Sequence, residues 1–196
     1  MGFLCSLASS VSQPHPFFRQ CRMDSLFSRV AGYYESIGAM PRPGASGPQL
    51  QAFEGRNGLS LPASVRALYS TIDGLDGEVP ECGFHDLHLW RLHELGRVNE
   101  RVAEFRGSPD YRSIVTALPR SSEFIAFGDG AIWSHVLAFR LSENGGPVIW
   151  ISGGVYTEMA PSFEEYWHRY LENPDSMLWP TDAHEMLPAR RPAEHS

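Results

Sequence analysis

The sequence contains no lysine, so its 16 basic residues are all arginines, against 23 acidic residues. The absence of lysine excludes lysine nucleophiles and Schiff-base chemistry. The formal net charge is −7, and the arginines are scattered singly apart from the pair Arg190 and Arg191. Because nucleic-acid binding requires clustered positive charge, we expect no nucleic-acid partner, and an acidic chain favours a basic protein partner.

Cysteines and long hydrophobic runs are also scarce. The three cysteines, Cys5, Cys21 and Cys82, are odd in number and far apart, which argues against a disulfide framework and predicts a cytoplasmic protein. No apolar run approaches the roughly 20 residues that a membrane-spanning helix requires. A chain of 196 residues with 42% hydrophobic residues is long enough to bury a core without metals or disulfides. We therefore expect one soluble domain.

The first 22 residues contain no acidic residue and precede a second methionine, Met23. We interpret residues 1–22 as a disordered arm or an extension from an upstream start, and either methionine can be the true start. A lipid anchor is the alternative, because Gly2 and Ser6 fit the myristoylation pattern and Cys5 can carry a second acyl chain. Neither hypothesis predicts stable insertion into a membrane.

The first half of the chain has the three- and four-residue apolar spacing of amphipathic helices. A first helix is predicted to begin with Asp24 as its cap and to stop at Gly38. The segment "MPRPGASGP" that follows is predicted to be a connector. Proline is expected to open the next two helices, at Pro48 and at Pro62, the second ending before a turn at Gly74. A further helix is predicted over "GRVNERVAEF".

Strand patterns dominate the second half. Alternating Leu87 and Leu89 indicate a strand, and three more strand-like runs follow in "FIAF", "HVLAFRL" and "VIWIS", with "GDG" and "NGG" between them as turns. Ser162 and Glu165 form a capping box ahead of a closing helix, after which Met177, Leu178 and Trp179 can pack back.

This order predicts a single α+β domain over residues 23–180. It has N-terminal helices, a central antiparallel β-meander and a C-terminal helix packed on the sheet. A flexible tail is predicted over residues 181–196.

Several patterns invite a catalytic or metal-binding interpretation. A phosphate loop at Gly128 to Gly130 fails because the glycines lead into another strand rather than into a helix, and a calcium loop fails because Asp129 is the only oxygen ligand there. His85, His88 and His93 form a ligand-rich cluster, but neither a strand nor a helix brings all three together. A small metal-dependent enzyme using these histidines remains an alternative to exposed or capping histidines.

Four acidic residues lie close together in "IDGLDGEVPE": Asp73, Asp76, Glu78 and Glu81. They form either a solvated loop or an acidic patch that docks a basic partner. Asp129 and Trp133 also have two interpretations, since each can face a partner or the core of the domain. We predict these six residues as the partner-binding set, and we predict no catalytic residue, no metal and no cofactor.

Three segments resemble the SUKH superfamily, which includes Smi/Knr-type regulators of cell-wall synthesis and bacterial immunity proteins. "LSLPASVRALYSTIDGLDG" is similar to its leucine-proline helix and turn. "FIAFGDGAIWSHVLAFRLSENGGPVIWI" resembles its central strands, and "APSFEEYWHRYL" resembles its closing helix. Their order and spacing agree over about residues 47 to 172.

The resemblance implies a domain without enzyme activity that acts by binding another protein. The leading expectation is an immunity protein that occludes a cognate polymorphic or contact-dependent toxin, which is basic and of a type that includes nucleases. The alternative is a Smi/Knr-type regulatory scaffold in cell-wall synthesis or signalling. The sequence leaves the identity of the toxin, the interface and the oligomeric state open.

Overall fold

The computed structural model describes residues 16–76, 87–104, 118, 120–130, 135–142, 145–152, 155–178 and 187–188. Within this part of the chain there are six helices, and no helix is long and apolar enough to cross a membrane. The helices are α1 (Pro16–Ser36), α2 (Gly47–Asn57), α3 (Ala63–Thr71), α4 (Val98–Glu104), α5 (Phe163–Glu172) and α6 (Pro174–Leu178). Two short 3₁₀ helices cover Leu92–Glu94 and Ser121–Glu123.

The strands form two antiparallel sheets. They are β1 (Met40–Pro43), β2 (Ile72–Asp76), β3 (Leu87–Leu89), β4 (Gly96–Arg97), β5 (Phe124–Gly130), β6 (His135–Arg140), β7 (Val148–Ser152), β8 (Val155–Ala160) and β9 (Leu187–Pro188). The small sheet pairs β1 with β2, and the large sheet has the order β3-β5-β6-β7-β8-β9, with β4 also paired to β5. Helices before the meander and a helix after it confirm the predicted α+β class.

The large sheet is covered on both faces. On one face, Phe127 and Phe139 pack against α5, where the Phe163 ring meets them edge-on with ring centroids 5.3 and 5.2 Å away. Helices α1 and α3 complete this larger core. On the other face, a smaller cluster forms around Trp90 and Val98. Every residue of β5 is therefore buried, and the C-terminal helix packs on the sheet as predicted.

Several helix boundaries follow from local sequence. Pro48 lies in the first turn of α2, which ends where Gly58 adopts a left-handed conformation with φ of 58°. Pro62 is the cap of α3. Ser162 caps α5, since its Oγ accepts a hydrogen bond from the backbone N–H of Glu165 at 3.2 Å. The two proline starts and the serine cap are confirmed. Of the predicted capping box only the Ser162 half is seen in this described helix, since Oε1 of Glu165 accepts from Nε of Arg169.

Four predicted boundaries are wrong. Gly96 and Arg97, which were predicted to open a helix, form strand β4 instead, because they pair with β5, and the helix begins at Val98. Helix α1 begins at Pro16, so Asp24 lies inside the helix and is not its cap. The "MPRP" part of the predicted connector is strand β1, because its backbone pairs with β2. Gly74 lies in β2 rather than at a turn; its φ of 73° and the nearby backbone of Trp90 and Arg91, which a Cβ would meet at 2.6 to 2.8 Å, explain the glycine.

The prediction of a turn at "GDG" is also wrong. Gly128, Asp129 and Gly130 form the end of β5, paired to β3 on one side and β6 on the other. The glycines serve close packing: a Cβ on Gly128 would lie 2.8 Å from the His88 carbonyl oxygen, and one on Gly130 would lie 2.1 Å from His135 Nε2. In contrast, Gly145 and Gly146, with φ of 74° and 32°, lie between β6 and β7 as the predicted "NGG" turn requires.

The predicted domain limits fall mainly outside the described residues. Residues 1–15, 179–186 and 189–196 are not described, so the predicted arm, the lipid anchor and the tail stay predictions. Helix α1 begins within the segment assigned to the arm. Met177 and Leu178 are buried against the larger core, as predicted for these two residues, and Trp179 lies outside the described residues.

Candidate partner-binding surface

Strands β1 and β2 form a two-stranded ribbon that has one buried and one exposed face. Met40 lies directly opposite Asp76, and Pro41 lies opposite Leu75. Leu75 is buried in the larger core, whereas Met40 is 63% exposed. The pairing shifts register between Pro41 and Pro43, so Arg42 is placed not by simple alternation but by its guanidinium, which contacts the Asp76 carboxylate opposite Met40. The outer face of the ribbon therefore places an apolar, a cationic and an anionic side chain together.

Asp76, one of the predicted partner-binding acids, forms ion pairs with two arginines. Nη1 of Arg42 donates to both carboxylate oxygens, at 2.7 and 3.0 Å, and Nη2 of Arg91 donates to Oδ1. The Arg42 guanidinium, with a smaller contribution from Arg91, holds the pKa of Asp76 below its usual value. These groups lie at the surface, with 34 to 40% of each side chain exposed.

Asp73, the second acid of the predicted patch, supports the backbone of the chain that follows β3. Its Oδ1 accepts a hydrogen bond from the backbone N–H of Leu92 at 2.7 Å. Glu94 accepts from the backbone N–H of Arg91 at 2.7 Å in the same region. Both carboxylates therefore satisfy the first N–H groups of the 3₁₀ helix Leu92–Glu94. Glu78 and Glu81 lie outside the described residues.

Asp129 lies in the interior and not on a surface turn. Its side chain is 3% exposed, and Oδ2 accepts a hydrogen bond from Nε1 of Trp90 at 2.6 Å. His88 Nδ1 is 3.8 Å from the same oxygen. The predicted contact between Asp129 and a partner stays a prediction, but it now requires movement of the residues around the carboxylate. Trp133 lies outside the described residues.

Trp90, which the sequence did not single out, connects several elements. Its backbone carbonyl oxygen accepts a hydrogen bond from the Tyr69 hydroxyl of α3 at 3.0 Å. Its backbone N–H donates to the Phe127 carbonyl oxygen of β5 at 3.0 Å. The guanidinium of Arg101, on α4, lies 5.1 Å from the centre of the Trp90 ring. Trp90 therefore joins helices α3 and α4 to the sheet and fixes the segment that carries Arg91.

Two of the three histidines of the predicted cluster lie in the described part of the chain. His88 lies on β3 beside Asp129, whereas His93 is exposed on the 3₁₀ helix, and His85 lies outside the described residues. Among the described residues, no group of three His, Cys, Asp or Glu side chains is placed to hold a metal ion.

His135 is a buried titratable residue that sequence reasoning missed. It is fully buried on β6, with its ring 5.5 Å from that of Trp150. Burial lowers the pKa of His135 to about 4, because the charged form would lose its hydration. The neutral imidazole is therefore part of the core and not an exposed switch. In the sequence, the one indication of its burial was its position at the start of an otherwise apolar strand pattern.

The comparisons with known proteins agree with this architecture. Residues 44–169 match the model of the SMI1/KNR4 family (SUKH-1). The match covers more than half of the chain and extends from α2 into α5. It confirms the resemblance indicated by the three sequence segments. A comparison with curated proteins found no match.

Proposed function

The chain belongs to the SMI1/KNR4 family (SUKH-1), and we propose on this basis that it is a non-enzymatic domain that works by binding another protein. Its specific role is that of an immunity protein, which binds a cognate polymorphic or contact-dependent toxin in the cytoplasm and occludes its active site. The family match over residues 44–169 is the observation that carries this proposal. No cofactor is required, because occlusion involves no covalent step.

The charge of the chain supports a basic partner. With a net charge of −7, the chain attracts a cationic toxin such as a nuclease over distances of about a Debye length, roughly 8 Å at physiological salt. Within the predicted acidic patch, Asp73 and Asp76 already have partners in the fold. We therefore assign most of the attraction to Glu78 and Glu81, which follow them in the sequence, with Trp133 as the proposed apolar anchor.

The test begins with the native host. The full chain is used to capture proteins from lysate, and the product of any adjacent gene that encodes a secreted protein with a variable C-terminal domain is purified. An immunity protein forms a stable one-to-one complex with that C-terminal domain and restores growth when the two are co-expressed. If the C-terminal domain arrests growth equally with and without this chain, the immunity proposal is wrong.

A Smi/Knr-type regulatory scaffold is the second candidate, and the family description favours it as directly as the first. A scaffold captures enzymes or regulators of cell-wall synthesis and leaves toxin-dependent growth arrest unchanged. Intact-mass measurement of the native protein adds a separate test, because acylation at Gly2 or Cys5 supports membrane association, whereas a chain that starts at Met23 eliminates it.

A further inference from the structure

We infer that the hydroxyl groups of Tyr34 and Tyr170 position the segment that presents Glu78 and Glu81 to the partner protein. The two hydroxyls hold the backbone of Leu87, the first described residue after that segment. This arrangement of three residues is the Leu87 clasp. The inference rests on the proposed function, since it names residues that influence partner binding through the two glutamates and without touching the partner.

Both backbone groups of Leu87 are bonded within the clasp. Its carbonyl oxygen accepts a hydrogen bond from the Tyr34 hydroxyl at 3.0 Å, and its backbone N–H donates to the Tyr170 hydroxyl oxygen at 3.2 Å. All three residues are fully buried. A buried backbone group without a partner costs free energy, because it has lost its hydrogen bonds to water. The two hydroxyls therefore fix the position of Leu87.

The clasp takes the place of a neighbouring strand. Among the described strands, β3 pairs with β5 alone, so its other edge has no strand beside it. The backbone groups of Leu87 are bonded to side chains of α1 and α5 instead. Just after β3, the Trp90 carbonyl oxygen is bonded in the same way to the Tyr69 hydroxyl of α3. Side chains from three helices therefore hold the two ends of this short strand.

The upstream end of the segment that carries the two glutamates is held as well. Asp76 is the last described residue before this segment. Its carboxylate pairs with Arg42 and Arg91 at the surface, where salt screens the attraction. The clasp, in contrast, is buried and uncharged. Because ordering a segment on binding costs conformational entropy, two fixed ends reduce the cost of presenting the glutamates.

Tyr166 supplies a matched control for the clasp. It lies on α5, four residues before Tyr170, and it is also fully buried. Its hydroxyl forms no hydrogen bond within the described part of the chain. Tyr166→Phe and Tyr170→Phe therefore remove the same atom from the same helix, but only Tyr170→Phe takes an acceptor away from Leu87.

Amide hydrogen exchange of the full chain, measured by NMR, tests the clasp. In Tyr170→Phe we expect the Leu87 amide to exchange about tenfold faster relative to the amides of β7, which report the stability of the whole domain. In Tyr166→Phe this ratio should stay at its wild-type value. Tyr34→Phe leaves the Leu87 carbonyl oxygen without its donor and should also raise the ratio. Equal ratios in Tyr170→Phe and Tyr166→Phe overturn the inference.

Binding of the C-terminal toxin domain tests the positioning role. Tyr170→Phe should weaken the affinity about tenfold, whereas Tyr166→Phe should leave it unchanged. In a chain that already carries Glu78→Gln with Glu81→Gln, the effect of Tyr170→Phe should disappear, because the clasp acts through these two side chains. A clasp that only stabilised the fold would weaken binding equally with and without the glutamates. An undiminished effect in the glutamine variant therefore contradicts the positioning role.

The same measurements separate the two proposals. If the wild-type chain binds no toxin domain, the proposed function fails, and the positioning role fails with it. If the wild type and Tyr170→Phe bind the toxin domain with the same affinity, the proposed function stands and the positioning role is wrong. An affinity that falls in Tyr170→Phe and not in Tyr166→Phe, together with faster exchange at Leu87, supports both.

Discussion

Nε1 of Trp90 donates a hydrogen bond to Oδ2 of Asp129 across 2.6 Å, and both side chains are buried. A carboxylate in the interior requires donors, because its unpaired charge would be costly to remove from water. The bond joins the segment after β3 to the end of β5, and the same segment carries Arg91, which pairs with Asp76. The core contact therefore helps to hold Arg91 beside Asp76.

Trp90→Phe should destabilise the fold through loss of this hydrogen bond. The phenyl ring keeps an aromatic face for Arg101, whereas the donor to Asp129 is removed, so we expect the free energy of unfolding to fall by about 2 kcal/mol. Trp150→Phe is the matched control, because its buried Nε1 forms no hydrogen bond within the described residues. Urea denaturation gives the free energy of unfolding of both variants. If the two variants lose the same stability, the loss comes from the smaller ring volume and not from the hydrogen bond.

Stability should depend on the protonation of His135. Its pKa is lowered from 6.5 to about 4 in the folded chain, so the unfolded chain binds this proton more readily. Stability contributed by the neutral imidazole is therefore complete above pH 6.5 and is lost as the pH falls to about 4, by up to about 3 kcal/mol. Urea midpoints measured across this range test the effect. His135→Leu should lose this part of the pH dependence. If the urea midpoint of His135→Leu changes with pH as steeply as that of the wild type, the prediction is wrong.

Two glycine substitutions should have opposite effects. Gly130→Ala places a Cβ 2.1 Å from His135 Nε2, so the buried imidazole ring or the strands must shift, and we expect a loss of about 2 kcal/mol. Gly55→Ala, in α2, meets nothing within 4 Å and should stabilise the helix by about 0.5 to 1 kcal/mol. Thermal unfolding compares the two. A neutral Gly130→Ala would mean that β5 and β6 are less tightly packed here than the structure shows.

Reversing two acidic charges should slow association with the toxin. In Glu78→Lys with Glu81→Lys, the electrostatic attraction decreases, and we expect an association rate about tenfold lower at low salt with little change in dissociation. Glu35→Lys with Glu172→Lys alters the net charge equally at two exposed positions on other elements. Stopped-flow measurement of the association rate compares the two double variants. If both slow association equally, the effect comes from net charge, and the acidic patch is not part of the interface.

Local patterns in the sequence predicted the elements whose stability depends on their own residues. The proline-led helices α2 and α3 and the capped helix α5 are examples, as is β7, which was predicted with its observed ends at Val148 and Ser152. Strands β1, β2, β4, β8 and β9 were missed. β1 is rich in proline and β8 lacks clear alternation, so their extended conformation depends on pairing with β2 and β7.

The "GDG" segment shows why the candidate site was harder to predict than the fold. Glycine and aspartate together are typical of turns, and nothing within the segment indicates that neighbouring strands approach too closely for any side chain. That constraint comes from His88 on β3 and His135 on β6. The same close packing of β3 against β5 buries Asp129 against Trp90, which is 39 residues away in sequence.

By itself, the sequence determined the α+β class, the amphipathic helices with the starts of α2, α3 and α5, the negative net charge and the resemblance that the family match confirmed. These properties depend on composition and on residues within a few positions of one another. Only the tertiary structure decided how the charges are paired. Asp76 meets Arg42 from 34 residues before it and Arg91 from 15 residues after it. Ion pairing depends on distance in space, which strand pairing sets, and so one acid of an apparently acidic segment became the centre of an ion pair with two arginines.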